Sequence, residues 1–119
     1  MRRCVHRNSQ AECAAKVLRK KRRSADASGE ILHEVRVLLL CSQQQHVVRL
    51  LSLFESGSEF ILVLELAHGG ELQRVLDQLD CIPEAHVLRM LSQLLHALRF
   101  LHQRQIAHLD IKVSDFTLI

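Results

Sequence analysis

The sequence predicts an α+β fold: a small antiparallel sheet with one helix, followed by a helical part. Three observations carry this reading. Short apolar runs bounded by turn residues recur in the first half of the chain, an apolar stripe of helical period begins near Glu30, and a longer one runs from Val87 to Leu101. At 119 residues the chain has the size of one small domain or of part of a larger one. Apolar residues make up 48%, enough for a core, and that core must be aliphatic, because there are four Phe and neither Trp nor Tyr.

Each element follows from its residues. The opening stretch, MRRCVHRN, mixes basic and apolar residues and reads as a short strand. Asn8-Ser9-Gln10 reads as a turn and residues 12–18, ECAAKVL, as a second strand, which makes a hairpin. The polar, basic segment RKKRRSADASG reads as a loop. Ile31, Leu32, Val35, Leu38 and Leu39 then follow a helical spacing, with Ser28 placed to cap the helix, and CSQQQ at 41–45 ends it. HVVRLLSLFE and EFILVLEL read as two strands joined by a tight turn at Ser56-Gly57-Ser58. AHGG breaks the pattern, and a short helix carrying Leu72, Val75, Leu76 and Leu79 follows. Pro83 suits the first turn of the last helix. Val87, Leu88, Leu91, Leu94, Leu95, Leu98 and Leu101 line one face of that helix, which reaches Gln103 and is roughly 30 Å long. The closing QIAHLDIKVSDFTLI reads as a loop leading into a short strand, and the division into two parts falls near Ala67 to Gly70.

Composition narrows the function classes. A net charge of +3 is mild and does not by itself imply a nucleic-acid partner. Cys4, Cys13, Cys41 and Cys81 form no C-x-x-C pair and match no disulfide or zinc framework, which points to a reducing, intracellular compartment. The N-terminus has no apolar signal region, so secretion is not expected, and no apolar run approaches the ~20 residues that span a bilayer. HEVRV at 33–37 lacks the second histidine of a zinc-protease motif. The basic run Arg19-Lys20-Lys21-Arg22-Arg23 reads as a solvated loop, with nuclear import as a rival reading. Nucleic-acid binding is disfavoured because aromatic stacking residues are scarce. The expected location is the nucleus, the cytoplasm or both.

The chemistry-bearing residues occur in a telling order. Phosphoryl transfer needs positioned positive charge on the phosphates, carboxylates that hold metal, and a base near the acceptor hydroxyl. Lys16, in AECAAKVL, follows small apolar residues as the phosphate-binding lysine of V-A-I-K does. A cation flanked by Ala14, Ala15, Val17 and Leu18 is unusual in an ordinary strand and has a purpose if it grips phosphates. Its partner should be a glutamate on the following helix. Glu34 lies at the edge of the apolar stripe, three residues from Ile31 and four from Leu38. Taken singly, Lys16 also reads as a solvated strand lysine and Glu34 as a surface glutamate. Against the pattern H-R-D-L-x-x-x-N, residues 108–116, HLDIKVSDF, align His108 with the histidine and Asp110 with the base. Leu109 replaces the arginine, Asp115 stands in the asparagine's place, and Lys112 follows Asp110 by two residues. A lone H-x-D is common by chance. Its weight comes from its place after a long amphipathic helix, with Lys16, Glu34 and a Gly-Gly breaker upstream in order.

On AAKVLRKKRR, EILHEVRVL, EFILVLELAHGGEL, LLHALRFLH and HLDIK together, the chain resembles Ser/Thr protein kinases of the calcium/calmodulin-dependent group. It is most similar to the death-associated protein kinase family, in its apoptosis-inducing related branch, where leucine also follows the loop histidine. The resemblance covers nearly the whole chain. It implies an ATP- and Mg2+-dependent enzyme that phosphorylates serine or threonine in a protein substrate, with a role in apoptotic signalling. Residues 1–66 would form part of a kinase small lobe without its glycine-rich loop; residues 67–119 would form the hinge and the start of the large lobe, ending just after the catalytic loop. By the same resemblance, Lys16 would contact the α- and β-phosphates and pair with Glu34, Leu64 would be the gatekeeper, and Glu65 and Ala67 would offer hinge backbone groups to adenine. Glu71 would reach the ribose, Asp110 would orient the substrate hydroxyl and accept its proton, and Lys112 would steady the transferring phosphate. Asp115 would hold the second metal, adding a negative charge that the usual asparagine lacks, and Val113 replaces the usual proline.

The 119 residues contain no G-x-G-x-x-G, and the four glycines are Gly29, Gly57, Gly69 and Gly70. DFT at 115–117 comes too early to be D-F-G, because Asp115 already fills the asparagine position. The expectation is therefore a kinase-domain fragment with little or no activity of its own, since two phosphate-handling elements are missing. The leucine face of the last helix expects partner helices, and each leucine left uncovered forgoes ~1.5–3 kcal/mol, so self-association or dye binding is expected. The alternative is a non-catalytic, pseudokinase-like interaction protein that takes a protein partner on this leucine face. A third reading, a helical adaptor unrelated to kinases, requires that there be no sheet.

Overall fold

The computed structural model describes residues 1–22, 25–69, 72–78 and 81–111. The chain divides into two compact units, Met1–Leu66 and Ala67–Ile119. The first unit is α+β. Strands β1 (Arg2–Val5) and β2 (Glu12–Arg19) form an antiparallel hairpin. The His6 amide donates to the Ala11 carbonyl at 2.8 Å and the Gln10 amide to the His6 carbonyl at 2.8 Å. Gln10 closes the loop in the left-handed region at φ 57°.

The segment expected to be a loop between β2 and the first helix contains two short paired strands, β3 (Lys21–Arg22) and β4 (Ala25–Asp26). Backbone bonds anchor the ends of this ribbon: Lys20 donates to the Ser58 carbonyl at 2.9 Å, and Ala27 donates to the Lys20 carbonyl at 2.7 Å. Two-residue strands carry no readable alternation, so a basic ribbon and a basic loop look alike in sequence. Helix α1 (Ser28–Leu40) begins at Ser28, which is therefore the first helical residue, and Ala27 takes the cap position that was expected of Ser28. The Asp26 carboxylate satisfies the first helical donor instead, accepting from the Ser28 amide at 2.9 Å. These bonds to Ser28, the side-chain one foremost, hold the Asp26 carboxyl below its ordinary value of 3.8.

Strands β5 (Leu50–Glu55) and β6 (Glu59–Glu65) form the second hairpin. The Ser56 amide donates to the Glu59 carbonyl at 2.9 Å, and the Ser56 hydroxyl accepts from the Glu59 amide at 3.1 Å. The strand expected from His46 starts at Leu50, because residues 45–47 turn first. A register shift between Leu50 and Ser52 puts a bulge at Leu51. The sheet order is β1-β2-β6-β5. In β6, Phe60, Leu62 and Leu64 are buried and their neighbours are half-buried, a period of two that marks the core face. Register places Ala14 opposite Leu64, Lys16 opposite Leu62 and Leu18 opposite Phe60. Helix α1 lays Ile31 and Val35 on this cluster, and Leu62 at its centre is 0% exposed.

The second unit carries helices α2 (Leu72–Gln78) and α3 (Glu84–His102). Pro83 caps α3 from outside at φ −58°, ψ 133°, one residue before the first-turn position expected of it. Its carbonyl accepts from His86 at 2.9 Å and Val87 at 3.3 Å, so the ring stays clear of the helix and the carbonyl starts the ladder. At the other end, Gln105 sits at φ 58°. Its amide donates to the His102 carbonyl at 2.9 Å, and the Ile106 amide donates to the Leu101 carbonyl at 3.0 Å. This is the Schellman arrangement that glycine usually supplies. Ala97 and Leu101 are buried, whereas Leu88, Leu91 and Leu95 are exposed. The short strand expected at the C-terminus and the expected helical position of Leu79 lie outside the described residues.

Candidate functional site

The chemistry of the first unit centres on Lys16. In β2 the side chains of Ala14, Lys16 and Leu18 share one face by the two-residue period of a strand. The cation thus stands on the core face, opposite Leu62, where an aliphatic residue would ordinarily sit. Helix periodicity brings Glu34 to the same place, because Ile31 and Val35 on either side of it pack onto the sheet. The Lys16 ammonium donates to the Glu34 Oε1 at 2.6 Å. The structure therefore joins the two residues that the sequence expectation paired.

Both side chains keep access to solvent, at 34% for Lys16 and 40% for Glu34. A half-exposed pair of this kind contributes no more than about 1 kcal/mol to stability. Its consequence is positional. An ammonium has three donors, and one contact to Glu34 aims the group while leaving the others for an anion. Ala14, two residues before Lys16 on the same face, is 5% exposed and belongs to the core cluster beneath the pair. Lys20 makes a second pair at 2.6 Å, with Glu55, but its ammonium also lies 4.9 Å from the centroid of the Phe60 ring, away from the Ala14 end of the strand. Lys20 is tied to the closing hairpin, whereas Lys16 sits mid-strand beside α1.

Leu64 is buried, with Ala14 and Leu50 opposite it on the adjacent strands. Glu65 ends β6 and is bound to Arg49: its amide donates to the Arg49 carbonyl at 3.0 Å, and its carboxylate accepts from the Arg49 amide at 2.9 Å. The engaged amide limits Glu65 to its carbonyl as a backbone group for a ligand. Sequence reasoning missed Arg49 as the residue that fixes Glu65, since nothing in the spacing 49–65 signals a contact across the hairpin. Ala67 begins the second unit and is half-buried. His108, Leu109 and Asp110 are exposed, and Leu109 holds φ 61° with its side chain 93% exposed. A leucine in the left-handed region costs roughly 1–2 kcal/mol. Glu71, Lys112 and Asp115 lie outside the described residues. Among the described residues, no three His, Cys, Asp or Glu side chains are grouped to hold a metal, and no helix is long and apolar enough to cross a membrane.

The donor set fits a nucleotide's phosphates: a solvent-accessible ammonium, aimed by a carboxylate, on a sheet face lined by small and aliphatic residues. Comparison with known proteins leads the same way. The protein kinase domain model matches residues 1–118. "Death-associated protein kinase related" of Drosophila melanogaster is 43% identical over 118 residues, covering 99% of this chain and 18% of the relative. "Serine/threonine-protein kinase 17A" of Oryctolagus cuniculus is 40% identical over 120 residues, covering 99% of this chain and 30% of the relative. "Death-associated protein kinase dapk-1" of Caenorhabditis elegans is 36% identical over 122 residues, covering 99% of this chain and 9% of the relative. The chain thus spans less than a third of each of these relatives, and the match runs along nearly all of its own length. A four-stranded antiparallel sheet, a helix that delivers Glu34 to Lys16, and a family match from end to end lead to one conclusion: these residues belong to the protein kinase domain family.

Proposed function

We propose that this chain is the nucleotide-gripping portion of an ATP- and Mg2+-dependent Ser/Thr protein kinase acting in death-associated signalling. The contact between Lys16 and Glu34 carries the reading. Lys16 holds the α- and β-phosphates, and Glu34 keeps the ammonium aimed at them. Leu64 closes the back of the adenine site, and the Glu65 carbonyl and Ala67 backbone face the base, with Glu71 at the ribose. Asp110 accepts the hydroxyl proton of a serine or threonine in the protein substrate, and Lys112 neutralises charge on the group in transfer. Magnesium, held with the help of Asp115, supplies charge neutralisation when bound. The relatives named above as death-associated and serine/threonine kinases support the substrate class and the apoptotic role. Without G-x-G-x-x-G and D-F-G, these 119 residues by themselves transfer phosphate poorly or not at all. The basic run from Arg19 supports residence in the nucleus as well as the cytoplasm.

Titration of the chain with ATP and magnesium by calorimetry tests this. A charge-assisted hydrogen bond is worth ~1.5–3 kcal/mol, so Lys16→Ala is expected to weaken binding by about ten- to a hundredfold. Equal affinity in the two proteins would overturn the assignment. A second reading, a non-catalytic interaction protein, draws on the exposure of Leu88, Leu91 and Leu95 along α3. It requires a stoichiometric protein partner whose binding is lost in Leu91→Asp and is indifferent to ATP.

A further inference from the structure

Two cysteines outside the phosphate site face each other across the β1–β2 ladder. The register pairs Cys4 directly with Cys13, so both side chains leave the same face of the hairpin. The Cys4 thiol already lies over the opposite strand, with its sulfur 3.5 Å from the Cys13 carbonyl oxygen. Both are free thiols, Cys4 half-buried and Cys13 buried at 5% exposure. The His6 amide bonds to the Ala11 carbonyl, and hydrogen-bonded pairs alternate along an antiparallel ladder, so Cys4 and Cys13 fall at the next hydrogen-bonded pair. Such a pair has Cα atoms ~5.5 Å apart, inside the range that a disulfide spans. Its Cβ atoms are wider apart than the ~3.8 Å a relaxed disulfide prefers, so closing the bond draws the strands together and makes it easy to reduce.

We propose that Cys4 and Cys13 form a reversible redox pair that oxidants of the peroxide class close into a cross-strand disulfide. Hydrogen peroxide oxidises the more accessible Cys4 thiolate to a sulfenic acid, transferring one oxygen and releasing hydroxide that becomes water. The Cys13 thiolate then attacks the Cys4 sulfur; the S–S bond forms, the S–O bond breaks, and a second water leaves. In sum, two thiols lose two electrons and two protons, and one peroxide becomes two waters. The attack is intramolecular, so the burial of Cys13 does not prevent it. Closure locks β1, the edge strand of the described sheet, onto β2 three residues before Lys16.

The test is treatment of the whole chain with hydrogen peroxide, followed by intact mass and non-reducing peptide mapping, natively and in urea. The expected native product has lost two hydrogens, carries a Cys4–Cys13 linkage as its main disulfide, and returns to the dithiol in millimolar glutathione. In urea the linkages spread over Cys41 and Cys81 as well. Cys4→Ser, which alters a half-buried position, should abolish the linkage and leave Cys13 reduced. Either of two outcomes overturns the proposal: native oxidation that yields only sulfinic acid or Cys81-linked dimers, or a native linkage pattern no different from that in urea.

Discussion

Lys16 and Glu34 meet because a strand sends alternate side chains to one face and a helix turns residues three and four apart, here Ile31, Glu34 and Leu38, to one side. The partnership was legible in sequence from Ala14-Ala15-Lys16 and the position of Glu34 on its stripe, because both periods are fixed by backbone geometry. Glu34→Gln keeps the shape and removes the charge. It is expected to leave the melting temperature within a degree or two, as a half-exposed pair contributes little, while weakening ATP binding by about tenfold. Asp26 was not legible as the acceptor for the first helical amide, since Ser28 stood at the more conventional spacing for a cap. Its carboxyl is held below the ordinary 3.8 by the hydrogen bonds to Ser28. The carboxylate form is therefore favoured in the folded chain: the stabilisation is complete above the unfolded value and fades as pH falls through the lower folded one. The expected outcome is fraying of the first turn of α1 below pH 3.8, seen by amide exchange at Ser28 and absent as a pH-dependent step in Asp26→Asn.

The helices and hairpins were legible wherever periodicity or a turn ran long enough to be counted, as in α1, α3 and the strands β2 and β6. Their ends were less so. Pro83 shifted by one position and β5 began four residues late, because capping and turn bonds involve few residues and several placements satisfy them equally. The left-handed Gln105 left no trace in the sequence, since glycine is the usual signal at that site. Replacing it removes the strain of a Cβ in that region, so Gln105→Gly is expected to raise stability by about 1 kcal/mol, measured by urea unfolding. Burial separates core from surface in the same experiment. Leu62→Ala, at 0% exposure, should cost about 2–5 kcal/mol, whereas Leu95→Ala, at 63%, should change stability by about 0.5 kcal/mol or less. If Leu95→Ala instead destabilised as much as Leu62→Ala, the exposed face of α3 would have to be covered.

At the scale of the molecule, family membership was legible because five separate stretches carry the kinase pattern in order, and no one of them suffices alone. Glu71, Lys112 and Asp115 lie outside the described residues, and the observed geometry of the site is the Lys16–Glu34 contact within the first unit. The central claim is that the Lys16 ammonium is a phosphate grip. It is tested most directly with an ATP derivative bearing an acyl group on its terminal phosphate, which transfers that group to the nearest amine. The chain has four lysines, Lys16, Lys20, Lys21 and Lys112, so peptide mass spectrometry reads the site without ambiguity. The account predicts that Lys16 is acylated, that excess ATP suppresses the labelling, and that Lys20 and Lys21 respond to neither. Labelling that leaves Lys16 untouched, or that ATP does not compete, would contradict it.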